Sequence, residues 1–202
     1  MKKLLIIISV FLAFSACSEL EDLNVNVKDF AEVSGESLYN GATLQFINQM
    51  STEDVNRNLL LMWMQHFANT TYPDESRYDM TTRGVPNTTS NTMYRLVLVN
   101  YQEAARVLET QPLAGISQAR RDNQLAIVEI MTVFAWSYVF ENFGDMPYSQ
   151  ALDFSFPTPV YDDGLTVYKD LISRLNTAME KLTITEAGMP SEIGRASCRE
   201  RV

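Results

Sequence analysis

The side chains able to do chemistry in this sequence are few, and their types favour holding a ligand over transforming one. His66 is the only histidine, and it stands beside an apolar run. A single imidazole cannot build a zinc site or a histidine-based triad, so it reads as a hydrogen-bonding residue at a helix end. Asp74-Glu75 and Asp162-Asp163 are adjacent carboxylate pairs. Glycoside hydrolysis needs two carboxyls set apart across a sugar, which adjacency alone does not provide. The second pair reads as a helix cap and the first as loop. There is no P-loop and no glycine-rich dinucleotide fingerprint. No catalytic residue, metal ligand or cofactor is expected.

Binding asks for less. Sugars are held by aromatic faces and a few placed polar groups in a concavity. Tyr72, Asp74, Arg77, Tyr78 and Arg83 gather in one connector over 70–89. Connectors of that length are often functional. These five are the candidate ligand contacts. The alternative is that Tyr72 and Tyr78 pin the loop to the helices. Trp63 and Trp136 lie inside apolar stretches and read as core.

The elements that must position this loop read as helices. The spacing of Leu38, Ala42, Phe46 and Ile47 predicts a helix over 35–50, with Ser37 as a possible N-cap. A second helix is expected over 54–69, apolar all round at 59–64 and therefore deeply buried. Pro73, Gly84 and Pro86 punctuate the loop over 70–89. A third helix is expected over 90–108, on the stripe Tyr94, Leu98, Tyr101, Ala105 and Leu108. A fourth is expected over 118–142, ended by Gly144 and Pro147. A fifth is expected over 163–182, capped by Asp162 or Asp163. No strand–turn–strand pattern is visible. The fold class is all-α, built of antiparallel helix pairs with long loops.

The termini read differently from the body. Lys2 and Lys3 precede an apolar stretch from Leu4 to Phe14, which suits a signal peptide over 1–16. The stretch is too short to span a bilayer, which takes about 20 apolar residues. No other apolar run approaches that length. Ser15-Ala16-Cys17 forms a lipobox, so Cys17 is the expected lipidation site and membrane anchor. Residues 17–34 then form an extended lead-in. An acidic tract, Glu19 to Asp22, follows Cys17. It resembles the surface-export signals of lipoproteins, with a solvated linker as the alternative.

At the other end, the string from Ile193 to Val202 is basic and aperiodic, and it matches one frame of a common sequencing adapter. The expectation is that native sequence runs out near Ser191, that 192–202 is a non-native tail, and that 35–191 is the front part of a longer helical domain. Without that tail and the first two lysines, 11 basic and 23 acidic residues remain, near −12. Such a charge opposes nucleic-acid binding. Cys198 falls in the tail, which leaves Cys17 without a partner for a disulfide.

Three stretches carry a resemblance to a known family. They are Gln65 to Tyr78, Ala135 to Tyr148, and Pro159 to Asp162 leading into Val167 to Leu171. The second is the most specific, a long aromatic helix ending in Phe143-Gly144-Asp145-Met146-Pro147-Tyr148. Together with the lipobox they resemble the SusD/RagB nutrient-uptake lipoproteins, in a SusD-like subgroup. The resemblance implies tetratricopeptide-like helix pairs in a truncated superhelix. It implies a lipid-anchored, outward-facing protein of the cell outer membrane, acting as lid of a SusC-type TonB-dependent transporter. Its ligand would be an oligosaccharide or a peptide. The alternative is a helical-repeat scaffold lipoprotein that binds only proteins.

Overall fold

The computed structural model describes residues 33–52 and 59–189. The signal segment, Cys17, the lead-in up to residue 32 and the basic tail lie outside them.

The first helix, α1, is Gly35–Ser51. Its cap is Ser34, not Ser37: the Ser34 hydroxyl accepts from the Ser37 backbone N–H at 3.2 Å. Gly35 begins the helix against Leu108 and the Ala104 carbonyl, where any Cβ would collide. That close approach ties the start of α1 to the far end of its partner helix. Along its length α1 buries Ala42 and Phe46. The Phe46 ring meets Phe134 and Tyr138 edge-on, at 5.0 and 5.8 Å.

Among the described residues, the expected second helix is cut to a single turn. Residues 53–58 lie outside the description, and α2 is a single turn, Leu60–Trp63. It stops because Gln65 takes a left-handed backbone (φ 59). The His66 N–H then reaches back to the Leu61 carbonyl at 2.9 Å, the capping pattern that ends helices. Sequence punctuation does not show this, since the position usually carries glycine or asparagine. The stretch is not buried all round either: Leu60 and Met64 face solvent. His66 is exposed in the turn that follows.

The long loop ends earlier than 89. Helix α3, Val85–Thr92, starts after Gly84, with Pro86 in its first turn. Proline fits there because first-turn N–H groups lack helical partners anyway. The chain continues through a π-helical turn, Met93–Leu98, into α4, Val99–Thr110. Of the predicted stripe, Leu98, Tyr101 and Leu108 are buried and Tyr94 and Ala105 half-buried, joined by the buried Val97 and Ala104. The Tyr101 hydroxyl lies 3.0 Å from the Thr43 hydroxyl. Burial pushes that phenol up to about 12.

Helix α5, Gln118–Phe143, is capped by Ser117, whose hydroxyl accepts from the Arg120 N–H. By length and composition it could cross a membrane, which corrects the expectation that no apolar run beyond the N-terminal stretch approaches that length. Its position is that of a core helix. Ala126, Val128, Ala135, Trp136 and Val139 are buried, and it packs against α4 and the last helix. Near its start Arg121 is buried and donates to the Leu108 carbonyl, closing the C-terminal end of α4. Gly144 (φ 71, ψ −113) ends α5 in a backbone shape that only glycine adopts easily.

A short antiparallel pair follows, which the sequence does not announce. Strand β1, Met146–Pro147, pairs with β2, Tyr161–Asp162. The last helix, α6, is Gly164–Glu180, capped by Asp163 through the Thr166 N–H at 2.9 Å. Arg174 of α6 holds Glu129 of α5 at 2.6 and 3.0 Å and donates to the Tyr148 hydroxyl at 2.7 Å. The Tyr148 hydroxyl in turn donates to Asp170. The fold is all-α, with one two-strand ribbon.

Candidate ligand-binding site

The loop between α2 and α3 is built from the inside out. At its centre lies Glu75, wholly shielded from solvent. Arg83 meets it with a two-pronged grip: Nε lies 2.8 Å from Oε1, and Nη2 donates to Oε2 at 2.8 Å. The same nitrogen donates to the Tyr72 carbonyl at 2.9 Å. The guanidinium also lies 5.3 Å from the Tyr72 ring centre, within cation–π range. The Asn69 side-chain amide donates to the Tyr72 carbonyl from the other side, at 3.1 Å.

A second knot sits beside the first. The Trp63 indole N–H donates to the Glu75 carbonyl at 3.0 Å, so α2 and the loop share one anchor. The Tyr78 ring lies 5.3 Å from the Trp63 ring, tilted by 31°. Beneath them Leu59, Met62 and Val85 form a small apolar cluster, with Trp63 and Met80 packed against it. Asp79 fastens the exit of the loop by accepting from the hydroxyl and backbone of both Thr81 and Thr82. Those bonds, the Thr82 hydroxyl first, hold its carboxyl down at about 2.

The display is unusual. Tyr72 (φ 60) and Tyr78 (φ 66) both take left-handed backbone, which a bulky side chain rarely adopts. Both rings remain 68% exposed. Strain of this kind persists only where the surroundings impose it, and it gathers at binding and catalytic sites. The loop therefore holds two aromatic faces outward on a locked base.

The five candidates fare differently. Tyr72 and Arg83 are brought together, and Tyr78 sits beside Trp63. Asp74 contributes its carbonyl, which accepts from Arg77 and Asp79 within the turn. Arg77 is exposed at the end of a 3₁₀ turn, Glu75–Arg77. Trp136 is core as expected, but Trp63 is only half-buried. Glu75 escapes a sequence reading: in Pro73-Asp74-Glu75-Ser76 it looks like a solvated loop acid, and its partner stands eight positions on. Among the described residues, no group of three or more metal-binding side chains comes together.

Beyond the loop lies a cleft of about 570 Å³, bounded by α3, the π turn, the end of α5 and the segment around β1 and β2. An open apolar groove of about 400 Å³ runs between α5 and α6, lined by Ile130, Phe134, Tyr168 and Ile172 among others.

Among curated proteins, none matches this chain. A protein-family model does match, over residues 27–193, and its description is "Starch-binding associating with outer membrane". The match takes in α1 to α6 and both strands. The chain belongs to this SusD-like family of outer-membrane-associated binding proteins.

Proposed function

We propose that the protein captures an oligosaccharide or peptide at the cell surface and passes it to a SusC-type TonB-dependent transporter, over which it acts as a lid. In this reading Cys17 carries the lipid that holds it to the outer membrane. The observation that carries the proposal is the pair of exposed, left-handed tyrosines over the Arg83–Glu75 grip. Tyr72 and Tyr78 present flat apolar faces on which a sugar ring can stack. Arg77 and the Asp74 carboxylate supply polar contacts at the edge. Because the base is locked before the ligand arrives, little ordering entropy is lost on capture. No step of the reading asks for bond breaking.

Titrating the protein with linear malto-oligosaccharides and short peptides by calorimetry tests this. The expected outcome is binding that weakens about tenfold in each of Tyr72→Ala and Tyr78→Ala, the size of one lost stacking contact. Affinity left unchanged by both substitutions would remove the loop from the site. One feature favours a second reading, the protein-binding scaffold: the apolar groove between α5 and α6. Loss of a protein partner in a Phe134→Asp variant, with ligand binding unchanged, supports that scaffold, and a partner that is retained takes the groove out of the interface.

A further inference from the structure

Three irregular pieces of backbone converge on the cleft between α3 and the β1–β2 segment. The π turn, Met93–Leu98, carries Tyr94 and Arg95 onto its wall. Gly144, where φ is positive, turns the chain out of α5 and into the wall opposite. Leu152 also lines the cleft and has φ 63, a left-handed conformation that a leucine rarely takes. π turns are rare and are frequent at functional sites, as are strained residues.

The wall is also fixed in place. β1 and β2 pair at Met146–Asp162 and Pro147–Tyr161. The Asp162 carboxylate accepts from the Tyr148 N–H at 3.0 Å and from the Ser149 N–H and hydroxyl at 2.8 Å. Those backbone and hydroxyl donors from Ser149 hold it charged, below the usual carboxylate range. Val160 N–H donates across to the Gln150 side chain at 3.1 Å. A cleft of about 570 Å³ with rigid walls falls within the span of small-ligand sites, about 300–1,000 Å³.

We infer that this cleft is a second ligand site, one that takes the carboxyl end of a short peptide bearing an apolar side chain. Its floor is apolar, with Val99, Val139 and Met146. Asn87, Ser90 and Asp145 also line the cleft, Asp145 accepting from the Gly164 N–H at 2.9 Å, and the Tyr94 hydroxyl donates to the Pro147 carbonyl at 2.8 Å. A sugar laid on that floor would turn ring hydroxyls toward Val99, Val139 and Met146, where they find no partners, which is costly. An apolar side chain meets no such penalty, and the exposed Tyr161 ring can cover it. Arg95 is exposed and uses one nitrogen on the Asn91 side chain, at 3.1 Å. The rest of its planar fork is suited to a carboxylate. The site is separate from the loop tyrosines and does not depend on their role.

The test is calorimetric titration of the full chain with leucyl-phenylalanine, with the same dipeptide as its C-terminal amide, and with maltotriose. The expected result is that the free acid binds about tenfold tighter than the amide, one charge-assisted contact. In Arg95→Ala, a surface change, acid and amide are expected to bind alike. Ser90→Trp, which fills the cleft, is expected to abolish dipeptide binding, with circular dichroism confirming an intact fold. The dipeptide titrations are repeated in a Tyr72→Ala, Tyr78→Ala double variant, so that peptide held by the loop does not enter the reading. Equal binding of acid and amide by the unaltered protein overturns the proposal. So does dipeptide binding that survives Ser90→Trp, or maltotriose binding that Ser90→Trp removes. Failure of both dipeptides to bind at millimolar concentration also overturns it, whatever the loop variants show.

Discussion

At the scale of single residues, the loop owes its shape to one shielded carboxylate. Glu75 is out of reach of water, and Arg83 supplies the charge it faces. Arg83→Ala would leave that acid buried opposite nothing. The expected loss is about 3 kcal/mol of stability, read from urea unfolding, because breaking a buried pair costs more than the pair contributes. Asp79 sets a different dependence. Its carboxyl titrates at about 2 when folded, against an ordinary value of 3.8. A lowered folded pKa gives stability that is present above pH 4 and fades as pH falls toward 2. Asp79→Asn should flatten the acid limb of a stability–pH curve over that window. The five candidate residues were nameable from sequence because aromatic and charged types crowd a punctuated segment. Glu75 was not, since its burial is decided by Arg83 and by Trp63 from another element. The left-handed tyrosines were not legible either, because nothing in Thr71-Tyr72-Pro73 or Arg77-Tyr78-Asp79 marks a positive φ.

At the scale of elements, periodicity read well where a helix has one apolar face and a polar cap. α1, α5 and α6 begin and end within a residue or two of the expected places. The third helix runs as α3, π turn and α4, and starts five residues early. Pro86, expected as punctuation within the loop, stands in the first turn of α3. The second helix failed because an unbroken apolar run looks buried whatever its length, and the cap at Gln65 carries no glycine. A further element was invisible: residues 183–189 fold back along α5. The Asn123 side chain receives the Thr183 N–H at 2.7 Å and donates to the carbonyls of Thr183 and Glu186 at 2.9 and 3.1 Å. Asn123 is itself buried. Asn123→Ala should release that segment, raising amide exchange over 183–189 while α5 stays protected, at a cost of about 2 kcal/mol.

At the scale of the whole molecule, an acidic chain of net charge −9 belongs to a family described as outer-membrane-associated. Attachment to the membrane is expected to hang on one residue. Cys17→Ser should move the protein from the membrane fraction to the soluble fraction and remove palmitate labelling, without altering ligand affinity. Retention in the membrane by that variant would point to an anchor elsewhere. The same scale separates the two proposed sites. Loop and cleft are built by different elements and rest on different locks, so a change in one should leave the other's titration intact.

The two tryptophans fall one to each of these regions. Trp63 is half-buried under Tyr78, whereas Trp136 is nearly sealed and meets Tyr94 and Tyr148 edge-on, at 5.5 and 5.0 Å. The protein thus carries two natural fluorophores in unlike surroundings, a redder one by the loop and a bluer one behind the cleft. A Trp63→Phe variant leaves only the bluer emission. Occupancy of each region can then be followed in separate wavelength bands, with no dye attached.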